Sequence, residues 1–185
     1  GITATAILYT YLECLGANVK YHINMRDEGY GLCESAVRKL AEEGVQLIVT
    51  VDNGISAIKE ADTAKELGIT LIITDHHQPG EILPDAAAVV DPHRSDCSSP
   101  FKELCGCGVA LKLIAAMDGG DYSMALEQFS DLAAIATIAD IVPIVGENRE
   151  IVATGLHYLE NTENYGLKSL IECAKLKKSP DSVSV

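Results

Sequence analysis

The 185-residue chain is 48% hydrophobic and 22% charged, enough apolar material for a sizeable core and an argument against disorder. Fourteen basic residues against 27 acidic ones give a net charge of -13, which opposes sequence-independent attraction to a polyanion. No run approaches the roughly 18 uninterrupted apolar residues of a membrane span, and six scattered cysteines without a C-x-x-C pair read as free thiols of a cytoplasmic protein.

Residues 2–15 carry apolar side chains at Ile2, Ala6, Leu8, Tyr9, Leu12 and Leu15, close to helical spacing, with Gly16 as a stop. Residues 19–23 alternate as a half-buried strand would, the glycines of 27–31 mark a loop, and 35–43 form a short helix closed by Gly44. The β-branched run 46–51 then reads as a buried strand ending in Asp52-Asn53-Gly54, followed by a helix over 56–67 and Gly68. A second such strand stops abruptly at Asp75-His76-His77, before Pro79-Gly80. Residues 86–90 give a further strand, ending at Asp91-Pro92-His93-Arg94. This alternation is that of βαβ units: an α/β fold with a doubly wound, mainly parallel sheet and flanking helices.

Beyond Ser99-Pro100 the pattern turns helical, over 108–117, 123–129, 131–138, 150–159 and 166–174, so the second half is mostly α. Cys105-Gly106-Cys107 reads as a tight helix entry, since a one-residue gap rarely suits tetrahedral coordination. The tail 177–185 reads as a linker.

Open α/β sheets keep their chemistry at the carboxyl ends of the strands. Two strands here deliver Asp52 and Asp75-His76-His77 to one edge. Carboxylate with imidazole suits Mn2+, Zn2+ or Fe2+, and adjacent imidazoles on a turning backbone point different ways, so one can ligate while the other faces substrate. Asp140 interrupts the apolar run 132–145. An unpaired carboxylate in such surroundings costs several kcal/mol, so it calls for a cation, with helix capping as the plainer account. Asp91 reads first as a turn opener, whereas His93 and Arg94 are candidates for contacting an anion.

Taken together, Val51-Asp52-Asn53-Gly54-Ile55-Ser56, Thr74-Asp75-His76-His77 and Thr137-Ile138-Ala139-Asp140-Ile141-Val142-Pro143 resemble the DHH phosphoesterases, in their RecJ-like exonuclease branch. Glu28-Gly29-Tyr30-Gly31-Leu32 and Gly106-Cys107-Gly108-Val109-Ala110 extend the resemblance over nearly the whole chain. It implies a DHH phosphoesterase domain over 1–176 that hydrolyses phosphodiester bonds with two Mn2+ or Mg2+ ions. By position, Asp52 resembles a carboxylate shared by both metals, and His76 and Asp140 resemble ligands of one. Asp75 resembles a partner that orients an imidazole, and His77 a group near the scissile phosphate.

The resemblance further implies 5′→3′ degradation of single-stranded DNA in recombination and repair. Phosphoesterases of short oligonucleotides, cyclic dinucleotides or pyrophosphate are the enzymatic alternative, and a RecJ-like scaffold without catalysis is the other. The family's Asp-x-Asp motif falls immediately before the position of Gly1, so the expectation is a catalytic-core piece of a longer protein, binding single-stranded DNA weakly or not at all by itself.

Overall fold

The computed structural model describes residues 1–24 and 31–174, so all but Gly31 of the loop expected at 27–31, and the tail expected from 177, lie outside the described residues. Helices α1 (Ile2–Cys14) and α2 (Glu34–Glu42) precede strand β1 (Leu47–Val51), helix α3 (Ile58–Glu66) and strands β2 (Thr70–Thr74) and β3 (Ala88–Val90). Helices α4 (Gly106–Met117), α5 (Tyr122–Ala139), α6 (Gly146–Leu159) and α7 (Tyr165–Cys173) complete the order. The strands form one parallel sheet, β1-β2-β3, in which Val51 pairs with Thr74 and Thr74 with Val90. All three strands therefore end at the same level.

Successive side chains of a strand face opposite sides, and both sides of this sheet are covered. Ile48, Leu71 and Ile73 pack with Val37 of α2 and with Ala61 and Ala64 of α3. Val51 joins the larger opposite core, built from Ile7 and Leu8 of α1, Leu111 and Ile114 of α4, and Phe129 and Ala133 of α5. Helices on both faces explain why these strands read as almost continuous apolar runs. The sheet is doubly wound and the second half mostly helical, as the sequence predicts.

Two local expectations are corrected. Residues 17–24 form no strand. Tyr21 instead meets Tyr9 of α1 edge to face, with ring centroids 5.6 Å apart, so the apolar alternation there belongs to a segment laid against a helix. The helices expected at 123–129 and 131–138 are one element, α5, which runs through Ser130 and Asp131. Its start is set by Asp121, whose Oδ1 accepts from the Ser123 and Met124 amides. Asp131 does not end the helix because its carboxylate is used sideways, accepting from the Thr162 hydroxyl at 2.8 Å. Among the described residues no helix is long and apolar enough to cross a membrane.

Candidate metal centre

Each strand of the sheet hands over to an aspartate. The Asp52 amide donates to the Thr74 carbonyl at 3.0 Å, one rung beyond the β1 ladder. There the chain turns: Asp52 has φ 62, the left-handed region that Asp tolerates better than most residues. Asn53 Nδ2 donates to the Val51 carbonyl and Thr50 Oγ1 to the Asn53 carbonyl, which closes the turn. The Asp52 carboxylate consequently stands over the sheet edge instead of continuing the strand.

Asp75 is 1% exposed and fully engaged. Its Oδ2 accepts from the Ile55 amide at 2.9 Å, and its Oδ1 accepts from the His76 amide at 2.8 Å, so one buried carboxylate ties the turn after β1 to the loop after β2. The same Oδ1 lies 2.6 Å from His77 Nδ1. With a carboxylate oxygen opposite it, His77 Nδ1 is the donor of this pair.

His76 points the other way. Its buried Nε2 lies between two carboxylates, 3.1 Å from Asp52 Oδ1 and 3.4 Å from Asp140 Oδ2. Burial pushes the His76 pKa down, and hydrogen bonding to Asp52 together with the charges of Asp52, Asp140 and Asp75 outweighs it, so the pKa is raised. Burial likewise pushes the Asp52 carboxyl up, while His76 acts to lower it. Ligand atoms of Asp52, Asp75, His76 and His77 all fall within 4.8 Å of one another, a grouping compatible with a metal ion.

Asp140 arrives from the end of α5, where its amide donates to the Ala136 carbonyl. A carboxylate is unfavourable at a helix C-terminus, the negative end of the macrodipole, so helix capping does not account for it. Convergence with Asp52 and His76 does. The residue after it, Ile141, has φ 58 and is 89% exposed. Among the described residues, Asp52 and Ile141 are the two non-glycines with positive φ, so the backbone strain of the fold gathers at this cluster. A left-handed β-branched residue costs about 1–2 kcal/mol, and an exposed side chain offers little packing in return. Ile141→Asn is therefore expected to stabilise the chain by about 1 kcal/mol, read as a raised thermal midpoint; an unchanged or lowered midpoint would count against the strain.

His93 and Arg94 lie beyond β3. His93 Nδ1 lies 2.6 Å from the His76 carbonyl, which fixes that nitrogen as the donor and braces the His76-His77 loop. The Arg94 guanidinium is held by Asp96, at 2.9 Å from Nε and 2.6 Å from Nη2, and by the Val89 carbonyl.

Three features here carry little or no local sequence signal. Gly106 sits against Asp52 and Ile141 carries the strain. Asp91, read first as a turn opener, does accept from the His93 amide at 2.7 Å, yet it is only 3% exposed and its Oδ2 has no hydrogen-bond partner among the described residues. The available hint was the repetition of a strand-end aspartate at 52, 75 and 91.

Burial raises the Asp91 pKa. In the unfolded chain the carboxyl ionises at its ordinary pKa, so stability falls as pH rises from there through the raised folded value, and the deficit persists above it. Asp91→Asn keeps the acceptor and removes the charge. It is expected to raise the unfolding midpoint at pH 7, with the gain shrinking as pH falls from the raised folded value toward the ordinary carboxylate range and absent below it; a lower midpoint at pH 7 would show the charge to be stabilising.

The DHH family, N-terminal domain, matches residues 1–137. The single-stranded-DNA-specific exonuclease RecJ of Bacillus subtilis (strain 168) is 49% identical over 173 residues, which is 93% of this chain and 22% of that protein. RecJ of Escherichia coli (strain K12) is 38% identical over 188 residues, covering 94% of this chain and 33% of its own length. This chain thus spans a fifth to a third of these relatives. The crystal structure of exonuclease RecJ bound to manganese superimposes with a TM-score of 0.84 at 36% identity, over 99% of this chain and 46% of that one. RecJ from Thermus thermophilus in complex with Mn2+ gives 0.79 at 34% identity, over 99% and 26%. With the family match extending over the sheet, the Asp75-His76-His77 turn and most of α5, the chain belongs to the DHH family.

Proposed function

We propose that this chain is catalytic-core sequence of a RecJ-like 5′→3′ exonuclease for single-stranded DNA, using Mn2+ or Mg2+ to hydrolyse phosphodiester bonds in cytoplasmic DNA recombination and repair. The phosphoesterase domain takes in residues 1–176. The observation that carries the reading is the buried Nε2 of His76, 3.1 Å from Asp52 Oδ1 and 3.4 Å from Asp140 Oδ2, a convergence of one imidazole and two carboxylates that suits a divalent cation. Identity of 49% to one RecJ and the fit to a manganese-bound RecJ support it.

In this reading Asp52, His76 and Asp140 hold a divalent cation. Such a cation stabilises charge building on a phosphoryl group and acidifies water. The rest falls to the side chains. Asp75 fixes the His77 tautomer, so Nε2 of His77 is the atom that holds a proton or meets the scissile phosphate. His93 and Arg94 contact the strand's phosphates from the β3 side, Arg94 by exchanging Asp96, an exposed partner of small energetic worth, for the anion.

The test is digestion of end-labelled single-stranded DNA by a protein of the relatives' length carrying this sequence, with Mn2+, with Mg2+ and with chelator. Expected is chelator-sensitive release of nucleotides from the 5′ end. The 185-residue chain alone, at a net charge of -13, is expected to bind the same oligonucleotide weakly. Hydrolysis confined to cyclic dinucleotides, pyrophosphate or very short oligonucleotides would move the protein to another branch of the family, and no hydrolysis of any of these would contradict an enzymatic role.

A further inference from the structure

We propose that Gly106 is a positioning residue for Asp52: its bare Cα lets the first turn of α4 close over the carboxylate and hold it in the left-handed turn that aims it at His76. The inference rests on the metal reading above for its consequence, and on geometry alone for its cause. A Cβ built on Gly106 falls on Asp52 itself, overlapping Oδ1, Cβ and Cγ. These are atoms of a short side chain and not the end of a flexible one, so they cannot swing aside without taking the carboxylate with them.

Neither partner has an easy retreat. Asp52 is held by the hydrogen bond its backbone N–H donates to the Thr74 carbonyl and by a turn at φ 62. Helix α4 is packed from its first turn, with Cys105, Cys107, Val109, Ala110 and Leu111 all buried. Its entry is also pinned to α5: Cys105 Sγ accepts from the Gly108 amide at 3.4 Å and lies 3.5 Å from Thr137 Oγ1, three residues before Asp140. The start of α4 therefore touches both carboxylate arms of the site, directly at Asp52 and through Thr137 on the Asp140 side. Glycine at 106 sets how closely those arms approach His76. The favourable end of the α4 dipole facing Asp52 reinforces the arrangement.

The consequence is a coupling between positions 106 and 52 that ordinary packing would not give. Gly106→Ala is expected to weaken Mn2+ binding about 10–100-fold, the range seen when a group that orients a ligand is lost. It should also shift the His76 imidazole resonances, which report the nearness of Asp52. Its destabilisation should largely disappear in an Asp52→Gly background, where no Cβ or carboxylate remains to collide and the left-handed turn is free of strain. The experiment is a four-corner cycle of the parent chain, Gly106→Ala, Asp52→Gly and the double variant, read by thermal unfolding without metal and by calorimetric titration with Mn2+. If Gly106→Ala does not fold, recovery of folding in the double variant still supports the proposal. Equal destabilisation in both backgrounds, or Mn2+ affinity unchanged by Gly106→Ala, would overturn it. Absence of Mn2+ binding by the parent chain would instead strike the metal reading, leaving the stability cycle to decide the steric coupling.

Discussion

Asp52→Asn is expected to bring Mn2+ binding below detection while leaving the fold intact. Asparagine is the apt replacement because the position is left-handed, φ 62, where Asn is tolerated and Ala is strained. The change keeps shape and removes the charge that faces His76 Nε2 at 3.1 Å. Neutral amides are poor ligands for hard divalent cations beside carboxylates, and Asp52 stands nearest the imidazole. The loss should exceed the roughly 10–100-fold typical of outer partners of a metal site. Calorimetric titration of both proteins with Mn2+ checks it, and an Asp52→Asn variant that binds within a few-fold of the parent would remove Asp52 from the ligand set.

The second large effect concerns turnover. In the full-length protein, His77→Ala is expected to lower kcat on single-stranded DNA by about 10²–10⁴, the usual contribution of a positioned proton-transfer group. Its Mn2+ affinity and thermal midpoint should stay near those of the parent. The side chain is 46% exposed, so the core loses little. Asp75 keeps its bonds to the Ile55 and His76 amides when the His77 ring is gone, so the loop retains its anchor. A kcat within twofold of the parent would show that Nε2 of His77 faces solvent without chemical consequence.

Asp52, Asp75 and His76 were legible in the sequence because each follows an apolar β-branched run, and parallel strands that end together must deliver their next residues to one edge. Asp140 stood out as a charge breaking an apolar run, but the burial that reading assumed is not found: its side chain is 43% exposed, and it reaches the cluster from the end of α5. What the sequence hid depends on contacts between distant segments. Asp131 looks like a helix boundary until Thr162 is seen donating to it. The alternation at 19–23 looks like a strand until Tyr21 is found against Tyr9. Asp91 opens a turn, as its local sequence says, and only the neighbouring strands show how deeply it is buried. Gly106 stands in a helix-entry motif like many others, and nothing near it in sequence reveals that Asp52, 54 residues earlier, occupies the space its side chain would need.

Anomalous diffraction at the manganese edge, from crystals of this chain soaked in Mn2+, reads the proposed ligand set directly. A peak is expected within coordination distance of Asp52 Oδ1, His76 Nε2 and Asp140 Oδ2, with His77 Nδ1 still on Asp75 and His93 Nδ1 still on the His76 carbonyl. Manganese bound elsewhere on the surface, with none among these three atoms at saturating concentration, would refute the site.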